Sequence, residues 1–159
     1  MKVNIPITKP YLGEDEKRLI SEVIDSGWVS QGPKVAEFEK RFAEYVGAKY
    51  AVATTSCTTA LHAALSVFGI GSGDEVIVPS LSFIATANAV VHCGATPVFV
   101  DIAPETCNIN VNKIEEAITE KTKVIMPVHQ MGLPSEIDSI QKIAAKHGLK
   151  IIEDAACAI

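Results

Sequence analysis

The stretch GSGDEVIVPSLSFIATANAVVHCGATPVFVD, Gly71 to Asp101, decides the fold. An apolar run from Glu75 to Val78 is followed by a helical segment from Ile84 to Cys93 and then by a second apolar run, Pro97 to Val100. The same alternation extends outward. Short apolar runs recur at Tyr50 to Ala53, Lys123 to Val128 and Lys150 to Glu153, and helical segments at Thr58 to Phe68, Val111 to Ile118 and Ile137 to His147. Strands that are apolar throughout and separated by helices predict an α/β fold, a mostly parallel sheet with helices on both faces. The preceding residues read differently. Glu14 to Ser26 puts Leu19, Ile20, Val23 and Ile24 on one helical face and stops at Gly27. After a loop from Trp28 to Pro33, Val35 to Val46 carries Phe38, Phe42 and Tyr45 at helical spacing, which predicts core positions for these rings.

The 159 residues are 48% apolar and 21% charged, a balance that fits a soluble globular domain and excludes a disordered tail, a fibre or a disulfide-stapled miniprotein. A net charge of -5 lacks the basic footprint of a nucleic-acid or anionic-membrane binder, so a small molecule or a protein is the expected partner. Lys2, Asn4 and Pro6 interrupt Met1 to Ile7, which argues against a secretory signal, and no run is long and apolar enough to span a bilayer. Cys57, Cys93, Cys107 and Cys157 lie far apart with no metal-ligand or redox spacing. Free thiols, a cytoplasmic location and no metal are expected. His92 beside Cys93 reads as a helix residue next to a buried thiol.

In parallel α/β sheets ligands bind outside the carboxyl ends of the strands, which directs attention to Thr54–Thr59, Pro79–Phe83, His129–Gly132 and Asp154–Ala158. The first is a hydroxyl-rich turn, Thr54-Thr55-Ser56-Cys57-Thr58-Thr59, opening into an alanine-rich helix. A helix start exposes unpaired N–H groups and the positive end of its dipole and so can hold a phosphate; alternatively Ser56 or a nearby threonine only caps the helix. The turn has neither the repeated glycines of a dinucleotide loop nor the lysine of a triphosphate loop. Phe83, after the second of these strand ends, either covers a flat heterocycle or belongs to the core. The last strand delivers Glu153 and Asp154, which period-two alternation sends to opposite sides, so they do not form an acid–base pair. An acid aimed at a heterocyclic nitrogen keeps that nitrogen protonated, the requirement of a pyridoxal electron sink.

Several segments together resemble the sugar-nucleotide aminotransferases of the DegT/DnrJ/StrS type. They are Gly71 to Ser80, Ser82 to Asn88, Gly94 to Asp101, Thr122 to His129 and Glu153 to Ala156, preceded by Gly27-Trp28, Gly32-Pro33 and Phe38-Glu39. The resemblance implies the incomplete large domain of a fold type I enzyme dependent on pyridoxal 5'-phosphate, with residues 1–48 as an amino-terminal helical segment and 49–159 as the partial cofactor-binding domain. It implies Thr58 and Thr59 at the phosphate, with Ser56 and the Cys57 backbone shaping the turn, Phe83 stacked on the pyridine ring and Asp154 paired with its nitrogen. Cys157 stands where members of the family carry glutamine or histidine beside the ring hydroxyl, and Cys57 where they carry glycine. His129 would lie near cofactor and substrate, and Trp28 in a loop facing substrate or a second subunit.

By the same resemblance the reaction moves an amino group from an amino acid such as glutamate to a nucleotide-linked keto-sugar, in a homodimer. The Schiff-base lysine of the family is expected beyond Ile159, so no catalytic residue is assigned within the chain. Lys150 precedes its strand and emerges at the end opposite Asp154. Without its later neighbours, Tyr50 to Ala53 is expected to stay unpaired or to pair differently. Two alternatives remain open: a dehydratase using the same cofactor with histidine for lysine, and an inactive remnant acting as a binding module.

Overall fold

A computed structural model describes residues 9–159, which divide after Ala53 into two compact units. The expectation placed on Met1 to Ile7 lies outside the described residues.

The first unit contains α1 (Glu14–Asp25) and α2 (Pro33–Val46). The acidic first turn of α1, Glu14, Asp15 and Glu16, complements the helix dipole, and Glu16 reaches back to the Gly13 N–H at 2.6 Å. Proline at the first position of α2 brings its start two residues forward of the expected Val35. The aromatic residues of α2 are not core: Phe38, Phe42 and Tyr45 are all exposed, and within this unit only Ala43 is buried on the helix. Two helices form one layer, and a layer cannot enclose its own apolar face. Tyr50 to Ala53 joins no ladder among the described residues; the Ala53 N–H instead donates to Glu39 Oε1 at 2.8 Å.

The second unit is a parallel sheet of β1 (Glu75–Pro79), β2 (Thr96–Val100), β3 (Thr122–Ile125) and β4 (Lys150–Ile151), in the order β2-β1-β3-β4. Three α-helices accompany it: α3 (Cys57–Val67), α4 (Ala85–His92) and α5 (Ile137–His147). Alternation along β1 sorts the core into two clusters. Val76 and Val78 join Leu61 and Leu65 of α3 and Ala89 and Val90 of α4, whereas Ile77 joins Ile140 and Ala144 of α5. Helices thus cover both faces, as the apolar strands require.

Two expected elements differ. Val111 to Ile118 forms two 3-10 turns, Val111–Lys113 and Glu115–Ala117, rather than an α-helix. The Asn110 side chain caps the first turn, and Ile114 is fixed in the core. β3 and β4 are shorter than Lys123 to Val128 and Lys150 to Glu153. The cause is Pro127, which has no N–H to give to β4. Pairing resumes beyond it, with Asp154 N to Pro127 O at 2.9 Å and His129 N to Asp154 O at 3.1 Å.

The sheet's winding positions the site. The chain leaves β1 for β2 on one side, then returns past β1 to β3 on the other. α4 covers one face and α5 the opposite one, so the connections at the carboxyl ends of β1 and β3 diverge and open a crevice there.

Candidate functional site

Asp154 is the centre of this edge. The register that puts Ile152 in the cluster with α3 and α4 sends Asp154 to the same face, where it is 4% exposed. Its Oδ2 accepts from Thr86 Oγ1 at 2.7 Å. Its Oδ1 accepts from the Ala156 N–H at 3.2 Å and from the Cys57 thiol at 3.7 Å. A carboxylate has about four acceptor positions, so three donors leave room for one more. Glu153 has a separate set of partners, its Oε2 lying 2.9 Å from His129 Nε2, so the two adjacent acids do not act as a pair.

The Cys57 thiol is pushed above its ordinary value of 9.0, first by burial and then by the charge and hydrogen bond of Asp154, with Cys157 adding to the effect. Cys57 is also the first residue of α3, and Ser56 is its cap, accepting from Thr59 N at 3.2 Å. The first backbone bond of the helix runs from Ala60 N to Ser56 O at 3.1 Å. The N–H groups of Cys57 and Thr58 precede it, so a capped helix start still offers two backbone donors. Hydroxyls crowd the turn: Thr59 Oγ1 lies 3.0 Å from Ser56 Oγ and 3.2 Å from Thr55 Oγ1. Capping by Ser56 therefore does not use up the donors of this turn.

Phe83 is 79% exposed, beyond the carboxyl end of β1, so it is not core. Its uncovered ring borders a cavity of about 210 Å³ that Ser82, Thr86 and Phe99 also line. His129, by contrast, is buried. Its Nδ1 accepts from the Ser135 N–H at 3.1 Å, which assigns the ring proton to Nε2 and makes that atom the donor to Glu153. Both ring nitrogens are thus engaged within the chain. The following loop carries Met131 at φ 51 and Gly132 at φ 84; a Cβ on Gly132 would stand 3.2 Å from the Cys157 carbonyl. Cys157 is exposed in the turn after Asp154. Trp28 belongs to the first unit, where its Nε1 donates to Gln31 O at 2.7 Å and its indole lies over Gly32, a position that any side chain would contest.

Sequence reasoning missed Thr86 and Asn108. Thr86 follows Ser82 by four residues, a spacing that one helical turn brings together, and the two hydroxyls lie 2.7 Å apart. Asn108, 4% exposed, donates to Leu133 O and Pro134 O at 3.0 and 3.1 Å and accepts from Gln130 N at 2.9 Å. It straps the loop that follows His129. Among the described residues no cluster of three metal-ligating side chains occurs.

The profile of the DegT/DnrJ/EryC1/StrS aminotransferase family matches residues 10–159. The chain is 50% identical to the spore coat polysaccharide biosynthesis protein SpsC of Bacillus subtilis, over 98% of this chain and 40% of that protein. It is also 50% identical to GDP-perosamine synthase of Caulobacter vibrioides, over 98% and 42%. The crystal structure of NtdA from Bacillus subtilis with bound cofactor PMP superposes with a TM-score of 0.89 at 44% identity, over 92% of this chain and 34% of that one. The chain thus spans about 40% of the length of the curated relatives it matches.

Proposed function

Since the chain belongs to the DegT/DnrJ/EryC1/StrS aminotransferase family, whose members depend on pyridoxal phosphate, we propose that its strand-end crevice holds this cofactor for amino transfer to a nucleotide-linked keto-sugar, with an amino acid such as glutamate as donor. The observation that carries the reading is Asp154, a buried carboxylate with three donors and one acceptor position remaining. The donor chemistry around it fits the group. Two free N–H groups at the start of α3, with the hydroxyls of Ser56, Thr58 and Thr59, suit a phosphate. Phe83 offers an uncovered ring to the face of a heterocycle.

Pyridoxal phosphate, when bound, supplies an electron sink for charge developing on carbon. The chain's residues do the remaining work. Asp154 holds a proton on the ring nitrogen, because the ion pair favours both charged forms. The start of α3 anchors the phosphate, and Phe83 shields one face of the ring from water. Cys157, exposed in the turn after Asp154, would be the side chain to meet the ring hydroxyl. His129, with both nitrogens engaged, holds the strand ends rather than a substrate group, and Trp28 is assigned to substrate or to a second subunit of a cytoplasmic homodimer. The transfer also needs a lysine. Lys150 does not suit the role: it starts β4, its ammonium 5.9 Å from the Phe68 ring, at the far end from Asp154.

The whole protein, supplied with pyridoxal phosphate, glutamate and a nucleotide-linked keto-sugar, should form 2-oxoglutarate and an amino sugar in equal amounts. Asp154→Ala should lower the rate about a hundredfold or more, the scale of losing a preorganised charge partner. Loss of oxygen from the sugar without gain of nitrogen would replace the reading with a dehydratase. Cofactor binding without turnover would replace it with a binding module.

A further inference from the structure

We infer that Thr86, oriented by Ser82, is a positioning residue that fixes the Asp154 carboxylate to receive a protonated ring nitrogen. The inference rests on the proposed pairing of Asp154 with the cofactor ring. Thr86 lies in the first turn of α4, is 1% exposed, and its Oγ1 is 2.7 Å from Asp154 Oδ2. A carboxylate only accepts, so the Thr86 hydroxyl proton points at Asp154. Its oxygen is then left to accept, and Ser82 Oγ, also at 2.7 Å, is the donor. The carboxylate thus sets the direction of the whole chain, from Ser82 to Thr86 to Asp154. Each hydroxyl that donates becomes a better acceptor, so the last and charge-assisted bond is the strongest of the series.

Oδ1 is held independently, by the Cys57 thiol of α3 and the Ala156 N–H. Three segments of the chain therefore grip the two oxygens, and the carboxylate cannot rotate without breaking a bond on one of them. Removing Thr86's hydroxyl releases Oδ2 alone. The remaining donors then pull the group toward Cys57 and away from a fixed alignment with a ligand in the crevice.

The test uses cofactor-free protein and two probes, pyridoxamine 5'-phosphate and its 1-deaza counterpart, in which a C–H replaces the ring nitrogen. Calorimetry gives the affinity of each. Wild type should prefer the pyridine probe, and Thr86→Val should lose about tenfold of that preference, the scale of one hydrogen bond to a charged group, with affinity for the deaza probe unchanged. Thr86→Ser should restore it. Ser82→Ala, which leaves Thr86 in place without its donor, should lose a smaller part and serves if Thr86→Val does not fold. Equal weakening of both probes in Thr86→Val would reduce Thr86 to a packing residue and overturn the inference, as would an unchanged preference. No preference in wild type would instead remove the assignment of Asp154, and the inference with it.

Discussion

At the scale of single residues, Cys57 reports on Asp154. Burial is the largest cause of its raised thiol value, with the carboxylate's charge next, so the thiol resists ionisation as pH rises past its ordinary 9.0. The folded state holds that proton more tightly than the unfolded one, and the stability this provides is present below pH 9.0 and lost above it. Asp154→Asn removes the charge and should ease ionisation. We expect iodoacetamide to alkylate Cys57 a few-fold faster in that variant at pH 8.5, with Cys107 as internal reference in peptide mass spectrometry. Equal rates in both proteins would mean that the carboxylate does not act on the thiol. The position of Asp154 at the carboxyl end of the last apolar strand was legible in the sequence. Thr86 was not, since its partner lies 68 residues away and only the folded sheet brings them together.

At the scale of elements, the apolar runs made β1 and β2 legible to within a residue, while β3 and β4 needed ladder arithmetic. Pro127 reads as apolar, yet its missing N–H interrupts the pairing that Lys123 to Val128 was expected to continue. The turns of 111–118 were misread because Val111, Ile114 and Ile118 show helical spacing, which a pair of 3-10 turns can also satisfy. The loop after His129 depends on Asn108, whose side chain satisfies two carbonyls and one N–H. Asn108→Ala should orphan all three and cost about 2 kcal/mol, read as a lower urea midpoint with unchanged slope. A midpoint equal to wild type would mean that water replaces the strap.

At the scale of the molecule, the two units differ in how they treat apolar surface. The second encloses two clusters about its sheet, while the first exposes Leu19, Ile20, Ile24 and Phe38 on its two helices and Val29 in the loop between them. An apolar surface of this kind takes up environment-sensitive dyes. Ile20→Lys combined with Phe38→Lys should cut anilinonaphthalene sulfonate fluorescence by about half, since both side chains line the same concavity. Undiminished fluorescence would assign dye binding to other surfaces.

The strand order β2-β1-β3-β4 also sets a timetable for synthesis. Thr86 is translated 68 residues before Asp154. At about 5–20 residues per second, the ribosome leaves a gap of roughly 3 to 14 s between them. α3, β1, α4 and β2 can assemble during that gap, but Thr86 has no carboxylate partner until the last strand brings Asp154. Translation therefore produces the proposed phosphate anchor at the start of α3 first and the Asp154 carboxylate last, once the sheet is four strands wide.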